Sequence, residues 1–257
     1  MSKKNKLDQY YTKPDIALWC WDILQENLED PESQIYVEPS AGCGNFLIDG
    51  YTWEAYDLDP KEENIVRKDF FEVKDLKGKV VVGNPPFGFA SSLALRFINH
   101  CASYDAKIIA FILPRTFKKK LFQNKINTKL HLVEEVDLPS GSFLLEGKEY
   151  DVPCVFQIWK NTGVLRDPFR FYKYLTKGSK DSHDFIIRRV GGRAGKVLSD
   201  FEFTESSSLY VKGDVNFILK YQKEILQEAS YTAGVKSITL DEINLIISMA
   251  EHKPYRV

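Results

Sequence analysis

No apolar run in these 257 residues approaches the roughly 20 that a helical membrane span needs. The opening MSKKNKLDQYYTK likewise lacks the apolar core of a secretory signal. The expected location is therefore cytoplasmic, or nuclear or in a viral factory for a eukaryotic or viral source, with no membrane partner. Cysteine is scarce: Cys20, Cys43, Cys101 and Cys154 are scattered and form no CxxC pair. That pattern offers neither a zinc site nor a disulfide framework, and reduced, mostly buried thiols are expected. The four histidines are also isolated, so no metal site is expected. A phosphate cradle of the P-loop type is missing, because GK[ST] does not occur after the glycine loop described below.

What is present is an ordinary globular composition, 44% hydrophobic and 28% charged, long enough for one large α/β domain with an appendage. Residues 14 to about 28 fit a helix, with Pro14 suited to a first turn and Ile16, Trp19, Cys20, Ile23, Leu24 and Asn27 on one face. Strands are expected at QIYVE (34–38), TWEAYD (52–57), KVVVGN (79–84), KIIAFILP (107–114), LVEEVDLP (132–139) and VPCVFQIW (152–159). Helical residues are expected after PSAGCGNF and over 91–101, where Leu93, Leu95, Phe97 and Ile98 are core candidates. Strands alternating with helices imply βαβ units: an α/β, doubly wound, mostly parallel seven-stranded sheet of Rossmann-like type. Beyond Asn161-Thr162-Gly163 the texture changes. FIIRRVGGRAGKVL reads as strand, glycine turn and strand, and 213–227 as helix. The expected division is residues 1–160 as a catalytic domain and 161–257 as a small α+β appendage.

The first strand delivers Glu38-Pro39-Ser40-Ala41-Gly42-Cys43-Gly44-Asn45-Phe46. Ligands of open parallel sheets bind beyond the carboxyl ends of the strands. Small residues there let the backbone approach a ligand, and a following helix would offer free N–H groups. Two acids follow in register. Asp57 closes the second strand, where a carboxylate can take both hydroxyls of a ribose, and Asp69-Phe70 can bond an adenine amino group and cover its ring. GxGxxG is not matched, since Asn45-Phe46-Leu47 follows Gly44, and Glu38 suits a cationic ligand better than a pyrophosphate. A nucleoside-type cofactor carrying a sulfonium or ammonium is the expectation.

VVVGNPPF (80–87) ends a buried strand at an amide, stiffens two residues and presents an aromatic ring. Transfer of a methyl group to an exocyclic base amine needs acceptors for its N–H bonds, which favour the pyramidal nitrogen of the transition state. Asn84 Oδ1 offers one and the Pro85 carbonyl another, pre-aimed because Pro85 and Pro86 fix φ. Phe87 offers a face on which an extruded base can stack. Neither a covalent intermediate nor a strong base is required.

These stretches resemble the amino methyltransferases that use S-adenosylmethionine. VVVGNPPF is similar to their motif IV, EPSAGCGNF to motif I, YDLDP to motif II, KDFF to motif III and QYYTKPDIA (9–17) to motif X. The order X, I, II, III, IV with a carboxyl-terminal recognition region resembles the gamma arrangement of DNA adenine-N6 methyltransferases. The resemblance covers about residues 9–160 and implies a class I methyltransferase domain that methylates adenine N6 in DNA with the base flipped out. It implies cofactor contacts from Tyr11, Thr12, Glu38, Pro39, Ala41, Gly42, Gly44, Phe46, Asp57, Leu58, Asp69 and Phe70, and catalysis at Asn84, Pro85, Pro86 and Phe87. The motif VIII aromatic beneath the flipped base would be Phe143, or Tyr150 in its place.

Net charge is −1, yet residues 160–200 hold ten Lys/Arg against four Asp, +6 locally. Arg188, Arg189, Arg193 and Lys196 straddle Gly191-Gly192 and are expected to bind nucleic acid, with Tyr172, Tyr174 and Tyr210 as possible assistants. Phosphate contacts do not declare the sugar, so adenine in RNA remains an alternative to DNA. NPPY occurs in enzymes acting on glutamine of release factors, and the phenylalanine here favours a base. A third alternative is an inactive binding subunit that keeps only the fold, against which both the glycine loop and NPPF are intact. Cytosine-C5 chemistry would need a Pro-Cys nucleophile in a loop, whereas Pro153-Cys154 lies in an apolar strand and Cys154 reads as core.

Overall fold

The computed structural model describes residues 10–145, 147–198 and 205–251. The chain forms two compact units, one of Met1–Arg115 and Lys125–Asp167, the other of Thr116–Asn124 and Pro168–Val257. Residues 1–9, where Gln9 opens the motif X resemblance, and Asp200 of the basic segment lie outside the described residues.

The first unit is built on β1 (Ile35–Glu38), β2 (Thr52–Asp57), β3 (Val66–Arg67), β4 (Val80–Gly83), β5 (Ile108–Pro114), β6 (Leu130–Asp137) and β7 (Cys154–Asn161). They form one seven-stranded sheet of order β3-β2-β1-β4-β5-β7-β6. The first five pair in parallel, and β7 runs antiparallel to both β5 and β6. All of β4 and β5 is buried, as is most of β7. Their unbroken apolar runs match a sheet covered on both faces. Helix α1 (Pro14–Glu26) begins with proline at its first position and sends Trp21 against Tyr36 of β1, ring centroids 4.8 Å apart. Helix α2 (Ser92–Ser103) makes the crossover from β4 to β5 and buries Ala94, Phe97, Ile98 and Cys101.

Two features differ from the sequence expectation. Residues 39–51 contain turns and no helix, so β1 passes to β2 through a tight loop. Asp49-Gly50, with Gly50 at φ +89°, stops the apolar stretch before a helix can nucleate. Tyr11–Thr12, Phe143–Leu145 and Lys148–Tyr150 also form a small antiparallel sheet, pairing Thr12 with Phe143 and Phe143 with Tyr150. Its pairing spans about half the chain, which no local pattern announces.

The second unit has an antiparallel sheet of β8 (Thr176–Lys177), β9 (Phe185–Arg188), β10 (Val197–Leu198) and β11 (Ser208–Lys212), in the order β8-β11-β9-β10. Helices α3 (Lys120–Gln123), α4 (Val215–Lys220), α5 (Gln222–Ser230) and α6 (Leu240–Glu251) accompany it. Its core joins Phe185, Ile187 and Val211 of the sheet to Ile218, Ile225, Ile243 and Ile247 of the helices. The helix expected over 213–227 starts at Val215, capped by Asp214, and breaks at Tyr221.

The division also falls elsewhere than at residue 160. Arg166 belongs to the first unit because Nε donates to the Leu130 carbonyl (3.0 Å) and Nη2 to that of Ile126 (2.8 Å). Residues 116–124 join the second unit, where Lys119 Nζ donates to the Ser237 carbonyl and Glu242. Among the described residues no helix is long and apolar enough to cross a membrane.

Candidate active site

The order of the large sheet reverses between β1 and β4, and ligands of such sheets bind outside the carboxyl ends at this point. Glu38 ends β1, Asp57 ends β2, Asp69 follows β3 and Asn84 follows β4, so all four arrive at one edge. They line a cavity of about 390 Å³, within the range of small-molecule and cofactor sites.

Local backbone chemistry shapes its floor. Gly42 sits at φ +52°, and a Cβ there would stand 3.0 Å from the Tyr11 ring, so both backbone angle and space favour glycine. Its N–H donates to Asp57 Oδ2 (2.8 Å), while Asp59 N–H donates to Oδ1 (2.7 Å). Each carboxylate oxygen thus holds one backbone donor and keeps acceptor capacity for a diol. The N–H groups expected from a helix therefore come from a turn. Gly44 does not line the cavity. Its N–H closes a turn onto the Ala41 carbonyl (2.7 Å), and Cys43 faces the cavity where Gly44 was expected.

At the far end, Asp69 Oδ1 accepts from Phe71 N–H (3.0 Å) and caps the turn that carries Phe70. Phe70 is buried and stacks on Phe97 (5.4 Å, 16°), while the Arg96 guanidinium lies 4.4 Å from the Phe71 ring centre.

Three residues that line this cavity each carry a buried polar atom without a protein partner: Thr12 Oγ1, Glu38 Oε2 and Asn84 Oδ1. Buried polar groups are ordinarily paired, so these call for a ligand. Burial first, then the Asp57 charge, holds the Glu38 carboxyl well above the usual carboxylate range. Gly83 makes room for it, since a Cβ there would lie 3.2 Å from Glu38 Cγ. Asn84 is oriented by its Nδ2, which donates to the Tyr10 carbonyl (3.0 Å), leaving Oδ1 as the open acceptor. Ser40 Oγ donates to the Asn84 carbonyl (3.1 Å), and Asn45 Nδ2 to that of Thr12 (2.7 Å), tying the glycine loop to both neighbours.

Tyr11, Thr12, Glu38, Pro39, Ala41, Gly42, Phe46, Asp57, Leu58, Asp69 and Phe70 all line the cavity, as do Asn84, Pro85, Pro86 and Phe87. Phe143 does not. Its side chain is fully buried, presents no open face and meets the Tyr10 ring in an edge contact (6.5 Å, 61°). The aromatic beside Phe87 is Tyr10, at 6.4 Å and 28°, and Tyr150 stacks on Tyr10 at 5.2 Å and 16°. Tyr10 was not anticipated, nor were Ser40, Cys43, Asn45, Asp59, Lys68, Phe71, Leu93, Arg96 and Phe97. Leu93 and Phe97, four apart on α2, carried a signal as one apolar face.

In the second unit Arg189, Arg193 and Lys196 are exposed. Arg188 is half-buried and its Nε donates to the Val190 carbonyl (3.1 Å), so part of its guanidinium braces the turn it was expected to project from. Gly191 N–H bonds the Lys236 carbonyl (2.9 Å), which brings a further exposed cation beside the glycine turn. Tyr172 is exposed, whereas Tyr174 packs on Phe217 and Tyr210 on His183.

A sheet with this strand order, acids at the ends of its first strands and an Asn-Pro-Pro-Phe beyond the fourth defines a class I methyltransferase fold. Residues 50–160 match the family model described as the EDM2 methyltransferase-like domain. The Arabidopsis thaliana protein ENHANCED DOWNY MILDEW 2 is 26% identical over 160 residues, 58% of this chain, and the chain spans 12% of that protein's length. Among solved structures, a candidate class I S-adenosylmethionine-dependent methyltransferase from Listeria monocytogenes aligns with TM-score 0.48 and 14% identity, covering 63% of this chain and 64% of that one. A modification subunit of a candidate type I restriction enzyme from Vibrio vulnificus aligns with TM-score 0.47 and 11% identity, over 97% of this chain and 63% of that one. A candidate RNA methyltransferase from Pyrococcus horikoshii aligns with TM-score 0.47 and 17% identity, over 62% and 90%.

Proposed function

We propose that the protein binds S-adenosylmethionine in this cavity and methylates the exocyclic N6 of an adenine turned out of DNA. The carrying observation is the Asn84 amide, whose Nδ2 is pinned to the Tyr10 carbonyl while Oδ1 is buried without a partner. An acceptor held in this way beside Pro85 and Phe87 fits an amino group bonded through its hydrogens.

The residues present fit the cofactor. Glu38, buried without a partner, suits an ammonium; Asp57 retains capacity for a ribose diol; Asp69 and Phe70 suit an adenine. When bound, the cofactor supplies an electrophilic methyl group on sulfur. Asn84 and the Pro85 carbonyl would accept the two N–H bonds and favour the pyramidal nitrogen, whose lone pair is then no longer delocalised into the ring and is the stronger nucleophile. Phe87 supports the base from one face, and the surplus N6 proton passes to water after transfer. The exposed Arg189, Arg193, Lys196 and Lys236 of the second unit supply phosphate contacts.

The test is to incubate the purified protein with methyl-labelled S-adenosylmethionine and either duplex DNA, single-stranded DNA or structured RNA, then digest and identify the labelled nucleoside. Label in N6-methyldeoxyadenosine is expected. Label only in an RNA nucleoside would move the substrate to RNA. Cofactor binding with no label in any nucleic acid would overturn the reading.

A further inference from the structure

Two residues beyond Phe87, the side chain of Phe89 is 89% exposed, the most exposed large apolar side chain among the described residues. The neighbouring Ala90 and Ser92 are also exposed, and both are small, so Phe89 is the large side chain that this turn presents. The backbone beneath it is strained. Gly88, Ala90 and Ser91 have φ of +68°, +49° and +63°, and Asp105 is the one other non-glycine residue with positive φ among those described. Left-handed alanine and serine persist only where the surroundings over-determine them, and such strain clusters at functional sites.

The surroundings here are identifiable. The Phe87 carbonyl accepts from both Leu93 N–H (3.1 Å) and Ala94 N–H (3.3 Å), and Gly88 accepts from Ser91 N–H (3.3 Å). A Cβ on Gly88 would stand 2.7 Å from Leu93 Cβ, so the chain must leave Phe87 at a sharp angle. These bonds turn the chain back into α2 and leave residue 89 exposed on the turn. The result is an exposed ring on a hydrogen-bonded turn, two residues beyond Phe87.

We propose that Phe89 inserts into the base stack of a paired nucleic acid and fills the space vacated by the target base. This rests on the reading of the site as a base methyltransferase. A flat apolar ring replaces the stacking that neighbouring bases lose on extrusion, as apolar wedges do when they open a base step. The ring touches no reacting atom in this scheme. It raises the population of the turned-out base, so its value depends on the target being paired and stacked.

The experiment compares wild type, Phe89→Ala and Phe89→Trp on two duplexes that differ only opposite the target adenine, one with thymine and one with an abasic site. Calorimetric binding of S-adenosylmethionine accompanies each variant. Phe89→Ala is expected to lose about tenfold or more in methyl transfer on the paired duplex. It should come close to wild type on the unpaired one, with cofactor affinity unchanged and Phe89→Trp retaining activity on both. Equal losses on the two duplexes, no loss on the paired one, or a Phe89→Trp as impaired as Phe89→Ala would overturn the proposal while leaving the methyltransferase reading intact. A wild type that binds cofactor yet labels neither duplex nor any other nucleic acid would overturn both.

Discussion

Asn84 Oδ1 and Glu38 Oε2 are both buried without a protein partner, yet the two residues respond to different tests. Asn84→Ala removes an acceptor used in the transition state, so methyl transfer should fall by on the order of 100-fold or more while cofactor affinity holds. Single-turnover transfer and calorimetry check the two halves of that statement. Glu38 carries a raised pKa, so the folded chain keeps its proton to higher pH than the unfolded chain. Its contribution to stability is full below the unfolded value and is lost as pH rises through the folded one. Cofactor-free Glu38→Gln should therefore melt higher than wild type at alkaline pH and converge with it toward acid. The same variant should bind S-adenosylmethionine more weakly. In wild type the affinity should rise with pH as the carboxylate ionises, a slope that Gln removes. A melting difference independent of pH would contradict this.

Helix α6 starts with a reciprocal cap. Thr239 N–H donates to Glu242 Oε2 (2.8 Å) and Glu242 N–H to Thr239 Oγ1 (3.2 Å), the T-x-x-E box of a helix N-terminus. The same Glu242 accepts from Lys119 Nζ at 3.0 Å, with both side chains buried. Removing one charge strands the other in a buried setting, so Glu242→Leu should cost about 3–5 kcal/mol of stability. A Lys119→Met/Glu242→Leu double variant should recover most of that loss, short of about 1 kcal/mol for the broken cap. Urea denaturation of the four corners of this cycle decides it. Full additivity would show that the pair is not the reason residues 116–124 join the second unit. The box joins residues three apart, whereas its union with a lysine 123 positions earlier is made by the tertiary fold.

Charge along the chain is uneven, and the chemistry divides accordingly. The cavity belongs to the unit built on the seven-stranded sheet, while Arg189, Arg193, Lys196 and Lys236 stand exposed in the other. Alanine at all four should weaken DNA binding across sequences alike and flatten the plot of log affinity against log salt. About 0.9 of slope should be lost for each phosphate contact removed. Methyl transfer at saturating DNA should change little. An unchanged salt slope would take these residues out of the interface.

Local chemistry was legible before any coordinates: buried strands as unbroken apolar runs, and the cofactor edge as acids and glycines at strand ends. These signals are short-range, because period, burial and turn preference act over a few residues. Phe87 and Asn84 could be placed on the same ground. What the folded chain added depends on contacts distant in sequence. Tyr10 reaches Phe87 because residues 11–12 pair with 143–144, and Phe143, within that same sheet, is buried without an open face. The missing helix after the glycine loop, the bracing of Arg188 and the strained projection of Phe89 involve near neighbours in the chain, yet they rest on backbone angles and hydrogen bonds that the packed fold selects and that period and residue preference do not specify.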